Sequence, residues 1–401
     1  MRRHSHDLAT IVLLEDDRGP SAAARQARPD TARASHPAGR DRYLDLLRAI
    51  ALTRIVTLHT FYTASWLTVV FPSIGVMFAL AGSLMARSLE RPAAGVLRRR
   101  SRRLLLPLWV YSATVLTGLL LQGWRAGSDG AAEWSLKLLL WFVPIGDPPF
   151  PSTIGSDAGL LEATWGLQSA DILWYIRAYF WFVLLSPLLL RAFRQLPWTT
   201  MLTPLALLVA LYVTPVSLPA QLDSVAWDFC AYMPCWILGF AHHDGLLRRI
   251  PRDLVFVGGI ALMSLGLLWV STGRDGTGWD LGLMPMATAL WSLGFCAMLL
   301  RISPSWSSFP RALRRLDKPV TLMNQRAITI YLWHCLVLMA LVPLIDRMGQ
   351  YEIVTQYVPW LYSPWMQYVL VWPFLALVVL AVGWVEDVAA RRPPRLWPTR
   401  G

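Results

Sequence analysis

The segment from Leu44 to His59 is apolar enough to enter a bilayer, yet it carries Asp45, Arg48, Arg54 and His59. An arginine at the centre of a membrane helix costs about 2.5–3.5 kcal/mol on insertion scales, so a plain anchor would avoid one. Arg48 and His59 are eleven residues apart. At about 100° per residue His59 returns to within about 20° of the Arg48 direction, three turns along and about 16 Å deeper. Asp45 lies one turn before Arg48 on nearly the same face, and Arg54 points elsewhere. The stripe reads as a channel open to the cytoplasm, with an anion-binding cation at its mouth and an imidazole well inside. Imidazole titrates near neutrality and suits general-base work. The plainer alternative is an interfacial Asp45–Arg48 ion pair, with His59 hydrogen-bonded to a neighbouring helix.

A second basic feature follows in the run Arg98-Arg99-Arg100-Ser101-Arg102-Arg103, just before Leu104 to Pro107. Arg100 and Arg103 are one turn apart on a helix face and offer two guanidinium forks for phosphate. Arg99 and Arg102 satisfy the same spacing; the distance to Pro107 favours Arg100 and Arg103, and a shift of one stays open. The alternative is a positive anchor at the membrane surface. Further along, Arg177 needs a partner, for which Asp171, Glu162 and Asp228 are candidates. With Trp174 a turn before it, it marks a candidate acceptor-side site or a structural ion pair. His334, with Tyr331 one turn away, is expected near the cytoplasmic side, as a supporting residue or a structural histidine. His242, His243 and Asp244 read as a loop without a metal, because adjacent helical histidines would point about 100° apart. Glu386 and Asp387 balance nearby arginines.

These residues need a membrane scaffold to position them. The 401-residue chain is 55% hydrophobic and only 15% charged, against about 25% charge in an ordinary soluble domain. Its apolar runs are of the length that crosses a bilayer core. Ten spans are expected: 44–63, 69–88, 104–122, 172–190, 200–218, 226–244, 254–272, 280–300, 327–346 and 366–387. A shorter piece at 135–145 reads as interfacial or re-entrant, before a turn-rich stretch from Gly146 to Gly159. With both termini cytoplasmic, 30 of the 37 basic residues fall inside, four outside and three within spans, a strong positive-inside asymmetry. The net charge of +12 is therefore topological and no nucleic-acid patch. The 21 Trp residues suit membrane interfaces. The basic residues are arginine except Lys137 and Lys318, which reads as the bias of a GC-rich bacterial genome. Cys230, Cys235, Cys296 and Cys335 sit in apolar segments without metal or disulfide spacing and read as buried thiols. Residues 1–41 are expected to form a disordered cytoplasmic tail, 42–390 the transmembrane domain and 391–401 a short basic tail. The fold class is all-α, a polytopic bundle of about ten helices.

The chain resembles the acyltransferase-3 family of membrane acyltransferases. The resemblance rests on Leu44-Asp45-Leu46-Leu47-Arg48-Ala49-Ile50-Ala51, the Arg48-to-His59 spacing, the Arg-x-x-Arg before a Leu-rich Pro segment, Leu173-Trp174-Tyr175-Ile176-Arg177-Ala178-Tyr179 with Ser186-Pro187, and Ile330-Tyr331-Leu332-Trp333-His334. It implies a ten-helix domain that takes acyl-CoA from the cytoplasm and acylates a carbohydrate, lipid or secondary metabolite. In it, His59 would be catalytic, and Arg48, Arg100 and Arg103 would hold the acyl-CoA. Acyl-CoA would be a co-substrate, with no permanent cofactor and no metal. The main rival function is a transporter or flippase of an amphipathic or sugar-lipid molecule, since intramembrane Arg and His also suit a translocation path. A scaffold without chemistry has no need of a charged first helix.

Overall fold

The computed structural model describes residues 41–61, 63–64, 66–125, 131–151, 165–214, 218–272 and 281–396. The expected tail at 1–41 falls outside these except for Asp41, as does the end of the C-terminal tail at 397–401. Among the described residues all regular structure is helical. Ten helices dominate: α1 (Arg42–Thr60), α2 (Ser73–Ser88), α3 (Ala93–Leu121), α4 (Leu173–Gln195), α5 (Pro197–Val213), α6 (Ala220–His243), α7 (Arg252–Ser271), α8 (Pro285–Arg301), α9 (Ala327–Gly349) and α10 (Pro364–Val382). Each expected span overlaps one of them. Six segments are long and apolar enough to cross a membrane: Leu67–Ser88, Ala93–Leu121, Trp165–Gln195, Arg252–Ser271, Ala327–Gly349 and Pro364–Val382. That is fewer than the ten crossings expected. Helices α5 and α8 are apolar but shorter, and α1 and α6 carry ionisable groups along their length. The molecule is an all-α membrane bundle.

Helix ends follow local chemistry. Proline opens α5, α8 and α10, where its missing N–H costs nothing and its fixed φ suits the first turn. Gly245, at φ 77°, lies just beyond α6 in the left-handed conformation that closes helices. The expected loop at His242 and His243 is instead the last turn of α6. These side chains are held separately, His242 by Ser83 and His243 by Glu90, at 3.0 and 3.1 Å. The piece expected at 135–145 forms a helix, Ala131–Leu138, and a 3-10 turn, Leu139–Trp141. It is strapped onto α3, where Ser112 donates to the Trp141 carbonyl at 2.6 Å and Trp109 to that of Phe142 at 2.8 Å.

At the centre, α2 and α6 touch backbone to backbone. A Cβ on Gly82 would collide with the Trp236 carbonyl, and one on Gly239 with the Ala79 carbonyl. Small residues allow such approach in membrane bundles, where dispersion replaces the hydrophobic drive between helices. The four cysteines are buried and unbridged.

At one end, α9 begins beside a buried ion pair. Arg326 is 0% exposed and donates to Asp387 at 2.7 Å and to the Arg395 carbonyl at 2.9 Å. At Asp387 burial, which alone would raise the carboxyl, is outweighed by Arg326, and the group sits below the usual range. Burial pushes the neighbouring Glu386 carboxyl up to about 7, against two hydrogen bonds from Thr329 that hold it down. Removing one partner strands a buried charge. Asp387→Ala is therefore expected to cost about 3 kcal/mol or more, whereas Asp244→Ala, at the half-exposed Arg194 pair, should cost under about 1 kcal/mol. Denaturant unfolding in detergent checks this; equal losses would show that the two pairs are energetically alike.

Candidate active site

Helix α1 carries His59 in its last turn. The imidazole is exposed into a cavity of about 220 Å³, whose walls include Arg54, Gly75, Asp171, Trp174, Tyr232 and Tyr331. Behind it stands His334 of α9, with ring centroids 4.9 Å apart and planes at 66°. His334 is fully buried, and its Nδ1 lies 2.5 Å from the Tyr331 carbonyl. A carbonyl only accepts, so Nδ1 carries the proton and, in the neutral ring, Nε2 carries the lone pair. Cys335 Sγ lies 3.4 Å from that Nε2 and can donate to it. His59, His334 and Cys335 offer two nitrogens and a sulfur within 4.8 Å of one another, the described group that could hold a soft divalent ion. His334 thus lies against His59, on a helix that starts just after the fully buried Arg326.

Arg54 also departs from expectation. The helical wheel sends it away from His59, yet it lines the same cavity and donates from Nε to the Leu67 carbonyl at 3.2 Å. A guanidinium on a long flexible stem reaches round a helix in a way that Cα directions do not capture.

The other arginines gather elsewhere. Arg100 donates to the Tyr179 hydroxyl at 3.2 Å, to Ser88 Oγ at 2.9 Å and to the Leu84 carbonyl at 2.9 Å. Arg48 and Arg103 both lie within electrostatic range of Arg100 and Tyr179. Arg48 donates to Asn324 at 3.3 Å, and Asn324 donates in turn to the Asp45 carbonyl at 2.8 Å. The Asp45 carboxylate accepts from Arg42 at 3.2 Å. Arg99 is exposed, and Arg102 is spent on the Ala389 carbonyl at 2.9 Å. Arg48 and Arg103 thus both lie near Arg100, while Arg103, like Arg99, is exposed and is also within range of Arg102.

These arginines and His59 do not share one open groove. The His59 cavity is lined by Arg54 but by none of Arg48, Arg100 or Arg103. Between the two groups runs a ladder of rings. Tyr179 and Tyr175 are 6.3 Å apart, Tyr175 and Tyr331 4.9 Å, and Tyr331 and His334 5.7 Å. The Tyr331 hydroxyl is fixed on the Ile172 carbonyl at 2.8 Å. The stripe geometry was blind to this ladder because its rings come from α4 and α9.

A second cavity of about 460 Å³ adjoins the first and shares Asp171, Trp174, Tyr232 and Thr288 with it. Arg177, 3% exposed, lies in its wall and is held by Asp147 and by Asp228, the latter at 2.5 Å. Asp228 was among its expected partners. Asp171 is not bonded to it, and Glu162 lies outside the described residues. Asp147 was missed; the signal was its place as one of two acids in the turn-rich Gly146-to-Gly159 stretch. Trp174 stacks on Tyr232 at 5.3 Å and 26°.

The site thus sets a cavity-facing imidazole against a buried one within a membrane bundle that also carries clustered arginines. The family model for the acyltransferase domain of the acyltransferase-3 family matches residues 41–385, and the chain belongs to that family. It is an acyltransferase. Neither the curated proteins nor the solved structures compared with it contain a match.

The two imidazoles differ in access. Diethyl pyrocarbonate, a small water-soluble acylating reagent, is expected to modify His59 and leave His334 intact in the folded protein, as read by peptide mass spectrometry. Labelling of His334 at a comparable rate would show that the second ring is not sealed.

Proposed function

We propose that the protein transfers an acyl group, acetyl or another short chain, from acyl-CoA on the cytoplasmic side to a hydroxyl of a carbohydrate, lipid or metabolite acceptor. Placement in the plasma membrane with both termini cytoplasmic is supported by the distribution of the basic residues. The phosphates of the donor rest on Arg48, Arg100 and Arg103, whose convergence on Tyr179 makes a cationic floor. The pantetheine arm passes the Tyr175–Tyr331 step and brings the thioester to His59. The acceptor enters from the opposite end through the cavity that exposes His59. His59 takes the hydroxyl proton, the oxygen attacks the thioester carbonyl, the C–S bond breaks, and the proton returns to the departing thiolate. Asp45 supports the donor end, and Trp174 and Arg177 the acceptor end. Tyr331 and His334 hold the His59 ring from behind.

The observation that carries this reading is His59 itself, open to a cavity on one side and seated against His334 on the other. Turnover of radiolabelled acetyl-CoA by the purified protein with a cell-extract acceptor fraction tests it. His59→Ala is expected to lower turnover by about 10²–10⁴-fold with an unchanged melting temperature. Arg100→Ala should instead raise the KM for acyl-CoA with a smaller change in kcat. Full activity of the His59 variant, or movement of the acceptor across vesicles without acyl transfer, would replace an enzyme by a transporter.

A further inference from the structure

The larger cavity has a charge imbalance. Its titratable walls are Asp147, Asp171, Asp228 and Arg177, three carboxyls against one guanidinium. Arg177 is occupied by Asp147 and Asp228, with Ser224 donating to Asp147 at 2.5 Å. Asp171 remains exposed in the cavity walls and makes no hydrogen bond or ion pair with any described residue. It lies within electrostatic range of Asp228, a like charge, and shares the walls of the smaller cavity with Arg54.

The surrounding walls are aromatic. Trp174, Trp227 and Tyr232 line the same space, and Trp174 and Tyr232 present a stacked pair. An uncommitted carboxylate beside electron-rich ring faces is the chemistry that recognises an ammonium group, through ion pairing and cation–π attraction. Anions meet repulsion there, and a neutral polyol leaves the carboxylate's charge unanswered. Asp171 and Trp174 also wall the His59 cavity. A molecule held by its cation at this junction extends its other end towards the imidazole. The volume of about 460 Å³ is in the range of ordinary small-molecule sites.

We infer that the acceptor is a hydroxyl compound bearing an ammonium group, an amino sugar or amino alcohol unit, seated with that group between Asp171 and the Trp174–Tyr232 stack. The inference rests on the reading that the acceptor enters through these cavities. Its test is a binding measurement that needs no acyl transfer, so the two can fail separately.

The probes are the p-nitrophenyl glycosides of glucosamine, glucose and glucuronic acid, at a pH where the amine is protonated. Binding to the full chain in nanodiscs is read by quenching of tryptophan fluorescence. The cationic glycoside is expected to bind about tenfold tighter than the neutral one, with the anionic one weakest. Asp171→Asn should bring the cationic and neutral affinities together while leaving the neutral one unchanged, which also shows that the variant is folded. Equal binding of all three, tightest binding of the anionic or neutral glycoside, no binding of any, or a preference that survives Asp171→Asn would overturn the inference. Loss of acyl transfer with the cationic preference intact would instead count against the proposed activity.

Discussion

Five side chains on α1, those of Arg42, Asp45, Arg48, Arg54 and His59, cannot face lipid, and much of the bundle is arranged to keep them from it. Helix α1 packs against α2, α9, α10 and the short helix Asp317–Gln325. Each polar group then finds a protein partner. Arg42 reaches Asp317 and Thr321, Arg48 reaches Asn324, and Arg54 reaches a backbone carbonyl. Thr53 and Thr57 fold back on carbonyls of their own helix at 3.0 and 2.9 Å, as hydroxyls do in an apolar setting. His59 is turned to a cavity that Arg54 also lines, so the enclosure that satisfies the arginines also aims the imidazole.

The same enclosure separates the two ends of the site. Tyr175, Tyr179 and Tyr331 stand where a straight groove from Arg48 to His59 would run. Buried rings such as Tyr331, whose hydroxyl is committed to Ile172, form a packed wall between the arginines and the His59 cavity. On the proposed reading, with a thioester donor, such a wall is useful, because a wet channel would expose an activated acyl group to hydrolysis.

The sequence made the helical class, the charged first helix and the arginine cluster legible, because all three are local patterns. Intramembrane charge is costly wherever the helix packs, so Arg48, His59 and Arg177 announce themselves. Their partners did not. Asn324 lies in a segment that reads as a basic loop, and Asp147 in a turn without periodicity. The pairing of His59 with His334 depends on how deep α9 begins, which Arg326 decides by being buried with Asp387. The direction of Arg54 was misjudged for a related reason: helical angles fix where a side chain leaves the backbone, not where a long one ends. Among the described residues six segments rather than ten satisfy the length and apolarity of a crossing, since α5 and α8 are short and α1 and α6 carry ionisable groups.

Two charged clusters of the bundle differ in sign, and the difference has a chemical logic on the proposed reading. Arginines collect around Tyr179, while Asp147, Asp171 and Asp228 outnumber Arg177 in the larger cavity. In a low-dielectric interior such fields act over several ångströms with little screening. An anionic donor and a cationic acceptor admitted at the same mouth would pair with each other before reaching the imidazole. Sorted to separate clusters, on that reading, each is drawn to its own site and they meet only at His59, with the aromatic ladder between the phosphates and the ammonium group. Separate charged clusters would thus do for two substrates what the enclosure of α1 does for its own side chains: let strong electrostatic groups share one apolar body without neutralising one another.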